Sequence, residues 1–320
     1  MASISAVICA YTEERWDDMC AAVDSLRRQT LPPSEILLVV DHNPALLARV
    51  RASLPGVVAI ANRQERGLSG GKNSGIAAAR GELIAFLDDD AVAAPDWLER
   101  LAAGYTHPEV LGVGGATDPA WTGERPSWFP EEFFWVVGCT YRGTPLAAES
   151  VRNLFGGNAS FRRGVFESVG GFRCDMGRVG KRPVGCEETE FCIRLRQRWP
   201  QGILRYEPGA RIYHRVPASR GSWHYYHSRC YGEGLSKAMV ARLVGSSDAL
   251  ATERGYTLRT LPQGIARGLG DAVRRGDAMG LARAASIVTG LASTTAGYLV
   301  GAVSGRLAPQ MSSKAAKANP

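Results

Sequence analysis

Short apolar runs alternate with amphipathic segments over the first 120 residues, and this alternation restricts the fold more than any other feature of the chain. The apolar runs predict strands at 5–10, 35–41, 57–62 and 82–88. Helical spacing of the intervening apolar residues predicts helices at 13–28, 45–54 and 71–81, and another that opens at Pro95. Strands and helices in this order form a parallel sheet that is covered on both faces. Ligands bind beyond the carboxyl ends of such strands.

Acidic residues follow two of these predicted strands. Asp41 ends the second strand, and Asp88, Asp89 and Asp90 end the fourth. A single aspartate at a strand end is often a helix cap or a turn residue, but three adjacent carboxylates repel one another unless a cation lies among them. Carboxylate oxygens suit Mg²⁺ or Mn²⁺, and phosphate oxygens often complete the shell of these ions. The pattern predicts a site for a divalent cation and a nucleoside diphosphate.

The glycine-rich segment RGLSGGKNSG (66–75) has the look of a phosphate-binding loop. A P-loop needs glycine where this chain has Arg66, and serine or threonine where it has Asn73. No GxGxxG motif opens a helix after the first strand either, so neither nucleoside triphosphate hydrolysis nor dinucleotide binding is supported. Lys72 stands at a helix start, where it either contacts an anion or belongs to a flexible helix entry.

The second half of the chain is less regular. We expect a strand at 110–117, an aromatic loop at 118–150, a strand, turn and helix at 153–172, and a hairpin at 202–216 around Pro208-Gly209. A helix opens at Glu187, Glu188 and Glu190. Acids in a first turn are either partners of the helix dipole or, when near a hydroxyl, a general base.

Charge is distributed unevenly along the chain. Residues 216–320 contain 13 Lys and Arg against 5 Asp and Glu, whereas residues 1–215 contain 25 against 26. An apolar content of 45% and a charged content of 22% exclude a disordered chain and a multi-span membrane protein. Seven scattered cysteines without a CxxC pair are typical of reduced thiols, and no signal peptide is visible, so a cytoplasmic location is expected.

The basic C-terminal third has two notable segments. Arginines and aromatic residues mix in 216–237, which favours a lid over a sugar phosphate or a membrane interface rather than nucleic acid. Residues 284–305 are uncharged and long enough to span a bilayer, but four glycines and six Ser/Thr make insertion marginal. Gly297 and Gly301 permit close helix packing in lipid or in protein. We expect a helical appendage at 238–310, packed or lying on the cytoplasmic membrane face, and a disordered tail at 311–320.

Five motifs in order resemble those of family 2 glycosyltransferases, the inverting, nucleotide-sugar-dependent enzymes of the GT-A fold. They are SAVICAYTEE, EILLVVDHNP, RGLSGGKNSGIAAARGELIAFLDDDAVAAPDWL, FGGNASFRRGVFESVGGF and GCEETEFCIRL. The resemblance covers about residues 4–237. It implies an α/β GT-A domain at 1–237, with a Rossmann-like mixed sheet flanked by helices. The nucleotide-sugar-binding half would be 1–117 and the acceptor-binding half 118–237.

The resemblance also implies roles for individual residues. It assigns catalysis to Glu188, with Glu187 as the alternative base, and metal binding to Asp90 and His214. His214 is otherwise a hydrogen-bonded structural histidine. The donor would be bound by Ala10, Tyr11, Glu13, Asp41, Lys72, Asp88 and Asp89, and the acceptor by Gly157, Asn158 and Trp128.

The chain departs from the family pattern at three positions. Glu188 stands where the family has a catalytic aspartate, and His42 stands where a second acid often follows Asp41. Leu195 replaces the glutamine of the QxxRW motif of processive members, so one sugar per binding event is expected.

The expected reaction is transfer of a sugar from a nucleoside diphosphate donor, UDP or dTDP, to an acceptor hydroxyl. Inversion and a dependence on Mn²⁺ or Mg²⁺ are implied, with a glycan, a lipid-linked saccharide or a small molecule as acceptor. Two alternatives remain open. A nucleotidyltransferase would need a second acid pair and a glycine-rich basic signature, which ICAYTEE does not provide. The other alternative is a non-catalytic binding protein of the same fold. Replacing Asp90 by alanine separates the two interpretations, because only an enzyme would lose a transfer reaction while remaining folded.

Overall fold

The computed structural model describes residues 2–178 and 185–307. Its strands are β1 (Ile4–Ala10), β2 (Glu35–Val40), β3 (Val57–Ala61), β4 (Leu83–Asp88), β5 (Ala91–Ala93), β6 (Val110–Trp121), β7 (Glu149–Ser150), β8 (Asn158–Arg162) and β9 (Ile203–Val216). Its α-helices are α1 (Trp16–Arg27), α2 (Pro44–Ser53), α3 (Leu68–Ala78), α4 (Trp97–Ala103), α5 (Arg163–Val169), α6 (Glu187–Arg198), α7 (Trp223–Val244), α8 (Ser246–Ala249), α9 (Ala251–Gly255), α10 (Leu261–Arg275) and α11 (Ala278–Leu307). The predicted tail at 311–320 lies outside the described residues.

The strands form one mixed sheet in the order β3-β2-β1-β4-β8-β6-β9-β5, and β7 pairs with β9. The first four positions are parallel, as the alternating pattern predicts. β8 then runs antiparallel to both β4 and β6, and β9 runs parallel to β6 but antiparallel to β5 and β7. The sheet is therefore mixed, as the resemblance implies, and not parallel throughout.

Helices cover both faces of the sheet because the central strands are apolar on both sides. On one face α1, α2 and α4 pack their apolar sides against β1, β2 and β4, with Met19, Leu46 and Trp97 fully buried. On the other face α5 and α6 contribute Phe166 and Phe191 to a second core. The Thr12 side chain accepts a hydrogen bond from the Glu14 backbone N–H at 3.2 Å and so caps the 3₁₀ turn Glu13–Arg15 that leads into α1. This construction places the ends of β1, β2 and β4 together at one edge.

The hairpin predicted at 202–216 is wrong. β9 continues through Pro208-Gly209 and pairs with β6 on both sides of it. The register shifts here, since Gly115 pairs with Glu207 whereas Thr117 pairs with Ile212, so three additional β9 residues bulge out. Pro208 and Gly209 lie in this bulge and not in a hairpin turn.

The segment 118–150 is more ordered than the predicted loop. β6 extends to Trp121, a 3₁₀-helix spans Glu131–Val137, and β7 closes the segment. The aromatic residues of this segment form a third core with α7, α10 and α11 that includes Phe129, Phe133 and Tyr226. They are therefore the base on which the C-terminal helices pack.

Helices α7 and α11 pack against each other through small residues. A Cβ atom added to Gly234 of α7 would lie 2.0 Å from the Thr294 carbonyl oxygen, and one added to Gly297 of α11 would lie 2.1 Å from that of Tyr231. α7 and α11 thus approach backbone to backbone. α7 runs from 223 to 244, so it crosses the predicted boundary between residues 237 and 238.

Candidate active site

A cavity of about 820 Å³ lies at the carboxyl ends of β1, β2 and β4. Ala10, Tyr11, Asp41 and Asp88 line its sheet side. Its opposite side is formed by the C-terminal helices, including Arg229, Glu233 and Lys237 of α7 and Leu291, Thr294 and Tyr298 of α11. The cavity therefore joins the predicted donor site to the helical appendage.

Three potential metal ligands meet at the sheet end of the cavity. The carboxylates of Asp88 and Asp90 and the imidazole of His214 place one ligand atom each within 4.8 Å of one another. The pairing of β5 with β9 brings this about, because Ala91 is in register with His214. Asp89 adds a buried Oδ2 that has no hydrogen-bond partner among the described residues. Two carboxylates and an imidazole suit Mn²⁺. Mg²⁺ prefers oxygen ligands and would be held mainly by the two carboxylates.

Two arginines and the imidazole of His214 lie beside these aspartates. Arg15 lies 2.9 Å from Asp89 and 3.2 Å from Asp90, whereas Arg220 lies 3.4 Å from Asp90 and His214 lies 3.1 Å from it. Burial raises the pKa of Asp89 to about 7, assisted by the Asp90 charge and opposed by Arg15. Burial acts in the same direction on Asp90, but His214, Arg15 and Arg220 outweigh it and hold the pKa of Asp90 below its ordinary value. The carboxylates of Asp89 and Asp90 thus lie where positively charged groups stabilise them.

Glu187 and Glu188, which are adjacent in α6, have opposite environments. The Lys72 ammonium lies 3.2 Å from Glu187, and both side chains are almost completely buried. Burial alone would raise the pKa of Glu187, but Lys72 lowers it below the ordinary value. Burial and the Glu187 charge raise the pKa of Glu188 to about 8, against an opposing effect of Lys72. One carboxylate is therefore a fixed anion, and the other exchanges its proton near neutral pH.

The remaining predicted donor residues lie around the same cavity. Asp41 accepts hydrogen bonds from the Asn62 side chain at 2.6 Å and from the Gly67 backbone N–H at 3.0 Å, so its carboxylate is fixed in place. Tyr11 is half-exposed at the cavity edge. A Cβ atom on Gly157 would lie 2.1 Å from the Asp88 carboxylate. Gly157 therefore allows the backbone to approach Asp88 closely.

Three predicted site residues lie outside the cavity lining. Glu13 is exposed and pairs with Arg49 at 3.4 Å. Asn158 is fully buried, and its side chain bonds Trp97 and the backbone oxygens of Ala116 and Ala210. Trp128 stacks on Trp223 with ring centroids 4.0 Å apart. Glu13 therefore forms a surface ion pair, Asn158 joins strands to α4, and Trp128 packs against the aromatic core.

Sequence reasoning gave no role at the metal site to either arginine there. Arg15 follows Thr12 by three residues, and nothing in the local pattern indicates that it reaches Asp89. Arg220 was grouped with a lid segment, although its position six residues after His214 offered a signal. The contribution of α11 to the cavity was not foreseen either, because it depends on how the helices pack.

Comparison with known proteins agrees with this geometry. Residues 5–170 match the family described as Glycosyl transferase family 2. The chain is 36% identical over 241 residues to the glucosyl-dolichyl phosphate glucuronosyltransferase of Haloferax volcanii, covering 74% of this chain and 77% of that protein. It is also 25% identical over 245 residues to the succinoglycan biosynthesis protein ExoM of Rhizobium meliloti, covering 71% of each.

Among solved structures, the fold is similar to that of a mannosyltransferase from Pyrobaculum calidifontis in complex with GDP-mannose and Mn²⁺. The TM-score is 0.60 at 18% identity, over 96% of this chain and 87% of the other. That similarity shows the GT-A fold, and the aspartate cluster gives the Asp-x-Asp arrangement. This chain therefore belongs to glycosyltransferase family 2 and is a hexosyltransferase of the GT-A fold.

Proposed function

We propose that the protein transfers one sugar from a nucleoside diphosphate donor to an acceptor hydroxyl, with inversion and with dependence on a divalent cation. The observation that carries this proposal is the presence, in one cavity, of the Asp88–Asp90–His214 cluster and the Glu188 carboxyl. The first suits a diphosphate leaving group, and the second suits proton removal from an alcohol.

Glu188 is the proposed general base. A base works best with a pKa near the operating pH, and the pKa of Glu188 is raised to about 8. Glu187 is the poorer candidate because Lys72 holds it as an anion of low basicity. Glu188 takes the proton of the acceptor hydroxyl, the oxygen attacks the anomeric carbon, and the bond to the nucleoside diphosphate breaks with inversion.

Asp88, Asp90 and His214 would hold Mn²⁺ or Mg²⁺, which neutralises the charge that develops on the leaving diphosphate when it is bound. Asp41 and Tyr11 border the part of the cavity proposed for the nucleoside. We infer UDP or dTDP as the nucleotide, and the Asp41 carboxylate, which Asn62 and Gly67 hold in place, would accept a hydrogen bond from the N3–H of the uracil or thymine ring. Lys72 and Arg15 add positive charge beside the proposed phosphates.

The proposed acceptor is a saccharide linked to a lipid phosphate. The Haloferax relative bears the name of an enzyme that acts on glucosyl-dolichyl phosphate. In this chain two guanidiniums, Arg178 and Arg229, line the cavity on the acceptor side. Burial lowers the pKa of Arg229, and the neighbouring Arg178 lowers it further. Paired cations in a cavity suit an anionic group such as the phosphate of this acceptor. A cytoplasmic location and one sugar per binding event complete the proposal.

A thermal-shift panel tests the donor. UDP, dTDP, GDP, CDP and ADP are each added with and without Mn²⁺ or Mg²⁺. A ligand that binds only the folded chain stabilises it by about 2.7 kcal/mol at a hundred times its dissociation constant. We expect a metal-dependent shift with UDP or dTDP that Asp90→Asn abolishes. Asp96→Asn is the control and should retain the shift, because Asp96 is half-buried, pairs with Arg100 and lies outside the cavity lining. Absence of any shift from folded protein would refute the proposal.

A further inference from the structure

Helix α11 presents an uncharged apolar stripe to the outside of the protein. One side of the helix is occupied, since Gly290, Gly297 and Gly301 lie against neighbouring helices and the aromatic core. The opposite side carries exposed residues at heptad-like spacing. These are Leu281, Ala285, Val288, Ala292, Leu299 and Val303.

The stripe is long and exposed. Leu281, Val288, Leu299 and Val303 are 54%, 53%, 58% and 58% exposed. From residue 281 to residue 303 an α-helix rises about 33 Å. One scattered apolar residue on a surface needs no explanation, but four large apolar side chains exposed along one face of a helix indicate a contact with an apolar partner.

Positive charge lies next to this stripe. α10 packs antiparallel beside the first turns of α11, with Gly268 against Gly280. The outer side of α10 exposes Leu269 and Val273 together with Arg274 and Arg275. Apolar residues beside arginines, in a chain segment with 13 basic and 5 acidic residues, are typical of helices that lie on anionic lipid.

The way in which α11 is held argues against a span. By length and composition Ala278–Ser304 could cross a membrane. However, its inner side is fixed along α7, where the Tyr226 hydroxyl donates to the Ser286 carbonyl at 2.8 Å and Arg242 donates to the Gly301 carbonyl at 2.7 Å. A helix fixed in this way to a charged neighbour has one side available for lipid.

The same helix lines the cavity. Leu291, Thr294 and Tyr298 border the cavity, whereas Val288, Ala292 and Leu299 belong to the stripe. We propose that the outer stripe of α11 lies in the interface of an anionic membrane, with the arginines of α10 near the head groups. The membrane contact itself does not depend on the proposed function. One consequence does rest on that function: a lipid-linked acceptor would reach the cavity along α11.

Flotation of the full chain with vesicles tests the contact without donor or acceptor. Vesicles contain phosphatidylcholine alone or an equal mixture with phosphatidylglycerol. We expect the wild-type protein to float with the mixed vesicles. The double variant Val288→Glu/Leu299→Glu should bind these vesicles with an affinity at least about tenfold lower, because two charges would enter the apolar layer. Val58→Glu is the matched control. Val58 is 49% exposed, nearly as much as Val288 and Leu299, but it lies on β3, which is an edge strand of the sheet and not part of the C-terminal helices.

The outcomes separate the alternatives. Wild-type protein that stays soluble, or a double variant that floats like the wild type, overturns the proposal. Self-association that the double variant abolishes without any vesicle binding would assign the stripe to a second copy of the chain. Retention in vesicles after alkaline carbonate treatment would identify a span instead. None of these results bears on sugar transfer to a soluble acceptor, so failure of this inference and failure of the proposed function remain distinct.

Discussion

Glu188→Gln should change how the stability of this protein depends on pH. Below its pKa of about 8 the folded protein keeps a proton on Glu188, whereas the unfolded chain releases that proton near the ordinary value of 4.5. The folded state therefore binds more protons in this window, and raising the pH from 4.5 to 8 destabilises it. Glutamine is neutral at every pH and removes this contribution.

The size of the effect follows from the burial of the carboxyl. One pKa unit corresponds to ~1.4 kcal/mol, so a change from 4.5 to about 8 sets an upper limit of roughly 5 kcal/mol. Lys72 offsets part of this cost. We expect the advantage of Glu188→Gln over wild type to grow by about 2–4 kcal/mol between pH 5 and pH 8.5.

Urea unfolding at several pH values measures this difference. Other titrating groups are common to both proteins, so the difference between their unfolding free energies isolates residue 188. Glu167→Gln is the matched control, because its side chain is 70% exposed on α5. A difference between wild type and Glu188→Gln that stays constant within about 0.5 kcal/mol across this range would refute the assigned burial. The same variant should lose transfer by about a hundredfold or more if residue 188 is the base.

Three further outcomes are expected. Asp90→Asn should abolish Mn²⁺-dependent binding of the nucleoside diphosphate in calorimetry, and Asp96→Asn should not. Gly297→Ala should destabilise by about 1–3 kcal/mol in urea, because its Cβ would lie 2.1 Å from a carbonyl oxygen of α7. Gly270→Ala should be neutral or stabilising, because its Cβ would have no atom of residues 2–178 or 185–307 within 4 Å. Glu253→Gln should cost about 2–3 kcal/mol in the same assay, since it weakens ion pairs to two largely buried cations; an unchanged midpoint would contradict the packing of α9.

The strands that build the donor side of the cavity were predictable because their signal is local. β1, β2 and β4 are apolar on both faces, and the ends of β2 and β4 carry acids that line the cavity. Asp41 and Asp88 could therefore be placed together from the sequence alone. The family resemblance added His214, whose position beside Asp90 depends on the register between β5 and β9.

The course of β9 was not predictable in this way. Pro208-Gly209 gives the same local signal in a hairpin as in a bulge, and only the register with β6 distinguishes the two. Arg15 and Arg220 are a second example. Each reaches Asp90 from an element distant in sequence, so the separation of six residues between Arg220 and His214 was the one sequence signal for this charge cluster.

The C-terminal helices are connected to α6, which carries the proposed base, by a continuous series of polar contacts. Glu253 of α9 accepts two hydrogen bonds from Arg152, at 2.6 and 3.0 Å, and one from Lys237 at 2.6 Å. Lys237 lies 3.2 Å from Glu233, which in turn accepts from the Cys186 thiol at 3.3 Å. Cys186 immediately precedes Glu187 and Glu188 and has a positive φ of 67°, so its conformation sets how α6 begins.

Removal of the appendage would therefore take Glu253 away from Arg152 and leave Lys237 with Glu233 alone, at contacts that lead to the start of α6. A truncated chain would lose sugar transfer for this reason even if α11 had no contact with lipid. Truncation cannot separate membrane contact from catalysis in this protein. Substitutions confined to the outer stripe of α11 can, because those side chains point away from both α7 and the cavity.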